Sequence, residues 1–208
     1  MISDGLQGST SPGRLQLLGI APTVRHADYL ANWLDVLREE HGLPARNVHV
    51  MPSPADGMSL EDAAAWYGQQ LDQTGGDEPF RTRGQAFFDV LLLGVGPDAH
   101  VASLFPGHPD SAATGVWTTA VDDSPKPPPL RVSFTMEVIR SADQVWLVAS
   151  GESKAEALAA AVEVYPEHVD AAVEDLEGEP LDVPAGWATG RSATRWFLDE
   201  AAASRLGG

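Results

Sequence analysis

The stretch that most constrains this chain is the apolar run over residues 87–95. Phe87, Phe88, Val90, Leu91, Leu92, Leu93 and Val95 are interrupted only by Asp89 and Gly94. A run this short and this apolar suits a strand buried on both faces, as in a parallel sheet covered by helices. Gly94 and Gly96 end it. In open α/β sheets, ligands bind beyond the carboxyl ends of the strands. Whatever follows Gly96 therefore stands where chemistry is expected, and Asp98 and His100 follow it.

The rest of the chain supplies elements of the same kind. Residues 15–18 form a short apolar piece. Leu30, Leu34 and Leu37 recur at helical spacing within residues 27–40, and Gly42 and Pro44 end that helix. Residues 47–51 alternate like a short strand. Ser59 is a good N-cap, with Glu61 and Asp62 in the first turn, for a helix to about Leu71. Residues 131–136 alternate, with Val132, Phe134 and Met136 on one side. Residues 145–149 form another short buried strand. Residues 150–153 open an alanine-rich helix that ends near Pro166, and residues 195–204 read as a C-terminal helix. Strands alternating with helices predict one α/β domain over residues 1–208, built on an open, mainly parallel, Rossmann-like sheet flanked by helices.

Composition narrows the function. The formal net charge is −17, which repels nucleic acid, because that partner is held by cations that neutralise phosphates. A small anion remains possible where cations gather locally, so the few basic residues are informative. There is no cysteine, which excludes disulfides, thiolate metal sites and cysteine nucleophiles. The six histidines are scattered without metal-ligand spacing, so neither a metal nor a cofactor is expected. No apolar run is long enough to span a bilayer. The N-terminus lacks a basic start and an apolar core, so it is not read as a signal peptide, and a cytoplasmic protein is expected.

A histidine at a strand edge can take a proton from water near neutral pH and return it to a leaving oxygen. Asp98 is placed to orient the imidazole or to bond a sugar hydroxyl. A Gly-x-Gly after a strand is also common in structural turns, and a lone histidine is more often structural than catalytic. The residues alone leave both readings open.

Residues 89–107, Asp-Val-Leu-Leu-Leu-Gly-Val-Gly-Pro-Asp-Ala-His-Val-Ala-Ser-Leu-Phe-Pro-Gly, resemble the signature of the 6-phosphogluconolactonase family. The related glucosamine-6-phosphate deaminases share the Gly-x-Gly and His core. They lack the Ala-Ser-Leu-Phe-Pro-Gly continuation present here at 102–107. Residues 124–135, Ser-Pro-Lys-Pro-Pro-Pro-Leu-Arg-Val-Ser-Phe-Thr, are similar to a second family segment. Residues 145–157, 183–185 and 194–199 resemble further fold elements of the family, and Lys154 lies at a helix start, where the dipole disfavours a cation. Gly8, Ser9 and Thr10, followed by Ser11 and Pro12, resemble the family's phosphate-cradling loop with Ser11 inserted.

The resemblance implies hydrolysis of 6-phospho-D-glucono-1,5-lactone in the pentose phosphate pathway. His100 would be the general base, with Asp98 beside it. Gly8, Ser9, Thr10, Gly96, Lys126 and Arg131 would bind substrate, and backbone N–H groups after Gly94 and Gly96 are candidate oxyanion donors. The partner is a small phosphorylated sugar lactone, with no nucleic acid or membrane, and the assembly a monomer or homodimer.

Three departures from the family pattern stand out. Only seven residues precede Gly8, so the usual preceding helix and strand are expected to be absent. No Asp-Glu-Arg segment is found. Ala99 stands where the family has glycine, which costs on the order of 1 kcal/mol if that position needs a positive φ. These departures keep a second reading open, a sugar-phosphate-binding homologue with impaired catalysis. A sugar-phosphate isomerase or deaminase ranks below both.

Overall fold

Leucine and valine in the 87–95 run alternate between a buried and an open face. The computed structural model describes residues 17–18, 35–44, 48–52, 57–75, 87–171, 176 and 178–207. The chain divides into two compact units, Met1–Met51 and Pro52–Gly208. In the first, β1 (Leu17–Leu18) pairs in parallel with β2 (Val48–His49), and residues 35–39 are helical. Residues 27–34 of the helix expected over 27–40 lie outside the described residues, and residue 40 is already a turn.

The second unit opens with α1 (Leu60–Gly75). The Ser59 hydroxyl accepts from the Asp62 N–H at 3.1 Å, the expected cap. Ala63, Ala64, Tyr67 and Leu71 form its buried stripe, at the spacing of one helical face. The helix runs a turn beyond the expected end at Leu71.

Among the described residues of this unit, β3 (Val90–Gly94), β6 (Gln144–Ala149) and β7 (Ala193–Leu198) form a parallel sheet in the order β3-β6-β7. Leu93 pairs with Leu147, and Leu147 with Trp196. Leu91, Leu93, Val145, Leu147 and Ala149 are buried on one face. Leu92, Val148 and Phe197 lie on the other, and Leu92 is 63% exposed. Among the described residues of this unit, the expectation of a strand buried on both faces is met on one face: the run is apolar throughout, but side chains alternate across a sheet, and one face meets this unit's core.

The β3-to-β6 crossover contains the antiparallel pair β4 (Thr118–Val121) and β5 (Arg131–Phe134). It ends in α2 (Met136–Arg140), capped by the Thr135 hydroxyl at 3.3 Å from the Val138 N–H. The alternation expected to carry strand through Met136 therefore ends at Phe134, where the cap turns the chain. Tyr67 of α1 meets Phe134 at 6.2 Å, and Thr118 donates to the Ala64 carbonyl at 2.6 Å.

The β6-to-β7 crossover is a 3-10 turn at Glu152–Lys154, then α3 (Ala155–His168) and α4 (Pro184–Trp187). Pro166 lies within the last turn of α3 rather than ending it, where it removes one i→i−4 hydrogen bond. Gly186 lets α4 approach α3, since a Cβ there would overlap Val164. Arg140 ties these ends together, donating to the carbonyls of His168, Ala171 and Trp187 at 2.9, 2.6 and 3.1 Å.

Residues 195–204 are not the helix that was expected. Residues up to Leu198 extend β7 along all of β6. Phe197 packs on Trp146 at 5.3 Å and Trp196 on Tyr165 at 6.2 Å. Aromatic side chains on alternating faces fit a pleated strand better than a helix surface. The chain turns only at Asp199, whose carboxylate accepts from the N–H groups of Ala202 and Gly151.

Candidate active site

Beyond the end of β3 the chain closes a tight loop. The Gly96 N–H donates to the His100 carbonyl at 2.8 Å and the Ala99 N–H to the Gly96 carbonyl at 3.0 Å. Val95 and Val101 form a bridge across its base. Val101, Leu104 and Phe105 are wholly buried and anchor it. The Ser103 N–H donates to the Ser133 hydroxyl on β5 at 3.0 Å. Much of the Ala-Ser-Leu-Phe-Pro-Gly stretch thus serves to fasten the loop.

Two residues in this loop answer specific expectations. Ala99 has φ +66, the left-handed conformation that favours glycine. It is held by the Ala185 N–H at the start of α4, which donates to the Ala99 carbonyl at 2.9 Å. Gly96 has an ordinary φ but no room. A Cβ there would lie within 3.0 Å of His100 Nδ1 and Cε1 and of Asp98 Oδ1. Gly94 has open space around it. Of the two glycines, Gly96 is the one required by packing, and what approaches it is the histidine ring itself.

The effect of Ala99 can be sized. A left-handed alanine costs about 1–2 kcal/mol. Glycine would lose about 0.4–1 kcal/mol through the freer unfolded chain and about 0.8 kcal/mol through the buried methyl. These nearly cancel. Ala99→Gly is expected to shift stability by less than about 1 kcal/mol in a urea melt, and a larger gain would mean that the loop is more strained than its dihedral indicates.

His100 Nδ1 and Asp98 Oδ1 are 2.6 Å apart, and the imidazole side chain is 16% exposed. Lys126 Nζ lies 2.8 Å from Asp98 Oδ2 and 3.4 Å from His100 Nδ1. Burial alone would raise the Asp98 carboxyl, but hydrogen bonds from Lys126 and His100 and the charge of His100 outweigh it and hold the pKa at about 2. With Asp98 ionised, Nδ1 is the nitrogen that donates, and Nε2 keeps the lone pair. Burial pulls the His100 pKa below its ordinary value; Asp98 opposes this, while Lys126 and Arg131 add to it.

Lys126 sits in the proline-rich loop between β4 and β5. Ser124 Oγ donates to the Lys126 carbonyl at 2.9 Å. Arg131, at the start of β5, donates to the carbonyls of Lys126, Pro127 and Pro128 at 2.9, 3.3 and 3.1 Å. Its guanidinium lies 5.4 Å from the Phe105 ring centre, and Phe105 packs on His100 at 4.6 Å. Arg131 therefore latches the loop that presents Lys126.

Lys154 joins the group. Burial lowers its pKa, the charge of Lys126 lowers it further, and Asp98 opposes both. Three cations thus act on one carboxylate in a chain of net charge −17. In the sequence Lys154 stands out only by its unfavourable place at a helix start. Gly8, Ser9 and Thr10 lie outside the described residues. Of the expected oxyanion donors, the Gly96 N–H belongs to the His100 carbonyl and position 97 is proline. No group of three or more residues suited to a metal ion occurs among the described residues. Among them, too, no helix is long and apolar enough to cross a membrane.

A parallel α/β sheet with a histidine–carboxylate pair and a cluster of cations past its strand ends defines an α/β protein whose histidine stands among groups able to orient it and to attract an anion. The chain belongs to the family of glucosamine-6-phosphate isomerases and 6-phosphogluconolactonases, whose model matches residues 26–196. It is 44% identical over 166 residues to the 6-phosphogluconolactonase of Streptomyces coelicolor, covering 79% of this chain and 58% of that protein. It is 40% identical over 167 residues to that of Mycobacterium tuberculosis, covering 79% and 60%. The crystal structure of a devB protein superposes with a TM-score of 0.59 at 29% identity, over 79% of this chain and 61% of the other. The chain thus spans about three fifths of the length of these relatives.

Proposed function

We propose that this chain hydrolyses 6-phospho-D-glucono-1,5-lactone to 6-phospho-D-gluconate, a step of the pentose phosphate pathway. The observation that carries the reading is the 2.6 Å contact between His100 and Asp98 inside the stretch that resembles the family signature. His100 Nε2 takes a proton from water as the water oxygen bonds to the lactone carbonyl carbon and the carbonyl electron pair moves to oxygen. When that pair returns, the bond from the carbonyl carbon to the ring oxygen breaks. The imidazolium then protonates the departing oxygen. Asp98 stabilises the imidazolium between the two steps. Arg131, Lys126 and Lys154 provide the positive field that draws in the phosphate, and the Gly8–Thr10 loop is assigned to the same group. Fixing the phosphate orients the ring over the histidine. A cytoplasmic protein acting as monomer or homodimer fits this reading.

The test is the hydrolysis assay, corrected for spontaneous opening, across pH. A base works only when unprotonated, and the His100 pKa lies below its ordinary 6.5 because the ring is buried. Protonation grows as pH falls through that lowered value. kcat/KM is therefore expected to be level at neutral pH and to decline on the acid side below 6.5. A profile that stays level well into the acid range would remove His100 from the role of base.

A further inference from the structure

Lys126 is expected to bind substrate, and its ammonium also meets the His100–Asp98 pair. It lies 2.8 Å from Asp98 Oδ2, while Oδ1 of the same carboxylate holds His100 Nδ1 at 2.6 Å. One carboxylate thus joins a cation to the histidine. The loop behind Lys126 is fastened for this arrangement. Ser124 Oγ and Arg131 Nη2 both donate to the Lys126 carbonyl, each at 2.9 Å. Arg131 also takes the next two carbonyls.

We propose that Lys126 is a positioning residue for His100: by occupying the second oxygen of Asp98 it fixes the carboxylate against Nδ1 and keeps the imidazole neutral, with Nε2 ready to accept a proton. The proposal rests on the lactonase reading for its consequence in turnover, but not for its electrostatics.

Two opposed influences meet at the ring. Burial of the ring disfavours the imidazolium most, while the hydrogen bond and charge of Asp98 favour it. The ammonium of Lys126, 3.4 Å from Nδ1, disfavours that cation. Lys126 thus offsets the charge of Asp98 without giving up its orienting hydrogen bond. The other groups that face the pair act in the same balance. Arg131 on β5 opposes the imidazolium. Lys154 at the start of the β6-to-β7 crossover feels both Lys126 and Asp98. The Phe105 ring packs on the imidazole at 4.6 Å and is uncharged. Of these, Lys126 is the one in direct contact with both members of the pair.

The experiment is an NMR titration of the His100 imidazole in the full chain, its resonance assigned by its loss in His100→Ala. Wild type is compared with Lys126→Met and Lys126→Arg, with thermal melts to show that each is folded and Lys126→Gln as the second neutral variant. In Lys126→Met the ratio of charged to neutral His100 at a fixed pH should rise about threefold or more. The acid limb of kcat/KM should move to higher pH with it. Lys126→Arg keeps the charge beside Asp98 and should return both readings towards wild type. An unmoved titration in both neutral variants overturns the proposal, as does a rise in KM with an unmoved pH profile. The titration needs no turnover, so it stands apart from the lactonase reading, which fails if the wild type does not hydrolyse the lactone above the spontaneous rate.

Discussion

His100→Ala is expected to lower kcat for lactone hydrolysis by about 10²–10⁴-fold, the usual share of a positioned general base. The fold should survive. The ring stands on a loop beyond the sheet, and the loop is held by the buried Val101, Leu104 and Phe105 and by the Gly96-to-His100 main-chain bond. Removing the imidazole does not orphan Asp98, which keeps Lys126 at 2.8 Å. The truncation therefore avoids the penalty of an unpaired buried charge. KM should change less than kcat, because the cations assigned to the phosphate are untouched. Steady-state kinetics beside a thermal melt check both halves. A folded mutant with wild-type kcat would end the catalytic assignment.

Gly96→Ala should be nearly as damaging, for a steric reason. The added methyl would lie within 3.0 Å of two atoms of the His100 ring and of Asp98 Oδ1. Nothing at that spot is the loose end of a flexible chain. The imidazole is rigid, packed on Phe105 at 4.6 Å and tied to Asp98 at 2.6 Å. To admit the methyl, the ring must leave, and the pair breaks. Activity is expected to fall about 10²-fold or more, the share of a misplaced base. Gly94→Ala is the control. Its Cβ would meet nothing within 4 Å, so it should change activity little. Equal activity of the two variants, or a retained His100–Asp98 contact in Gly96→Ala, would show that the loop can yield where the geometry says it cannot.

Some of this site was legible because it is local. A buried strand, two glycines, then Asp98 and His100 lie within eleven residues of the chain, and a strand end with a glycine turn has few ways to fold. Other parts were not legible, for an equally physical reason. Lys126 was grouped with the substrate ligands on the strength of the resemblance. Its actual anion in the structure is Asp98, 28 residues earlier, and nothing in a linear pattern pairs one cation with one carboxylate. Arg131 was read the same way, and its Nε and Nη2 donate to the carbonyls of its own loop. Lys154 reaches the group only because the end of β6 lies beside the end of β3.

What the amino-acid sequence determined by itself was periodicity and local stereochemistry. The apolar stripe of α1, the Ser59 cap, the strand that ends at Gly94 and the placing of Asp98 and His100 just past it all depend on neighbours within a turn or two. Tertiary structure alone decided the rest. Leu92 and Leu93 are alike in sequence, but the pleat sends Leu93 to the core and leaves Leu92 63% exposed. The segment from Arg195 to Leu198 could satisfy a helix pattern, yet six residues of pairing with β6 and the contact of Phe197 with Trp146 hold it as a strand. Ala99 takes a conformation alanine resists because Ala185 and Gly96 bond its peptide groups from both sides. Each of these outcomes depends on residues far apart in the chain, whose contacts form only when the sheet assembles, and a local pattern holds no record of them.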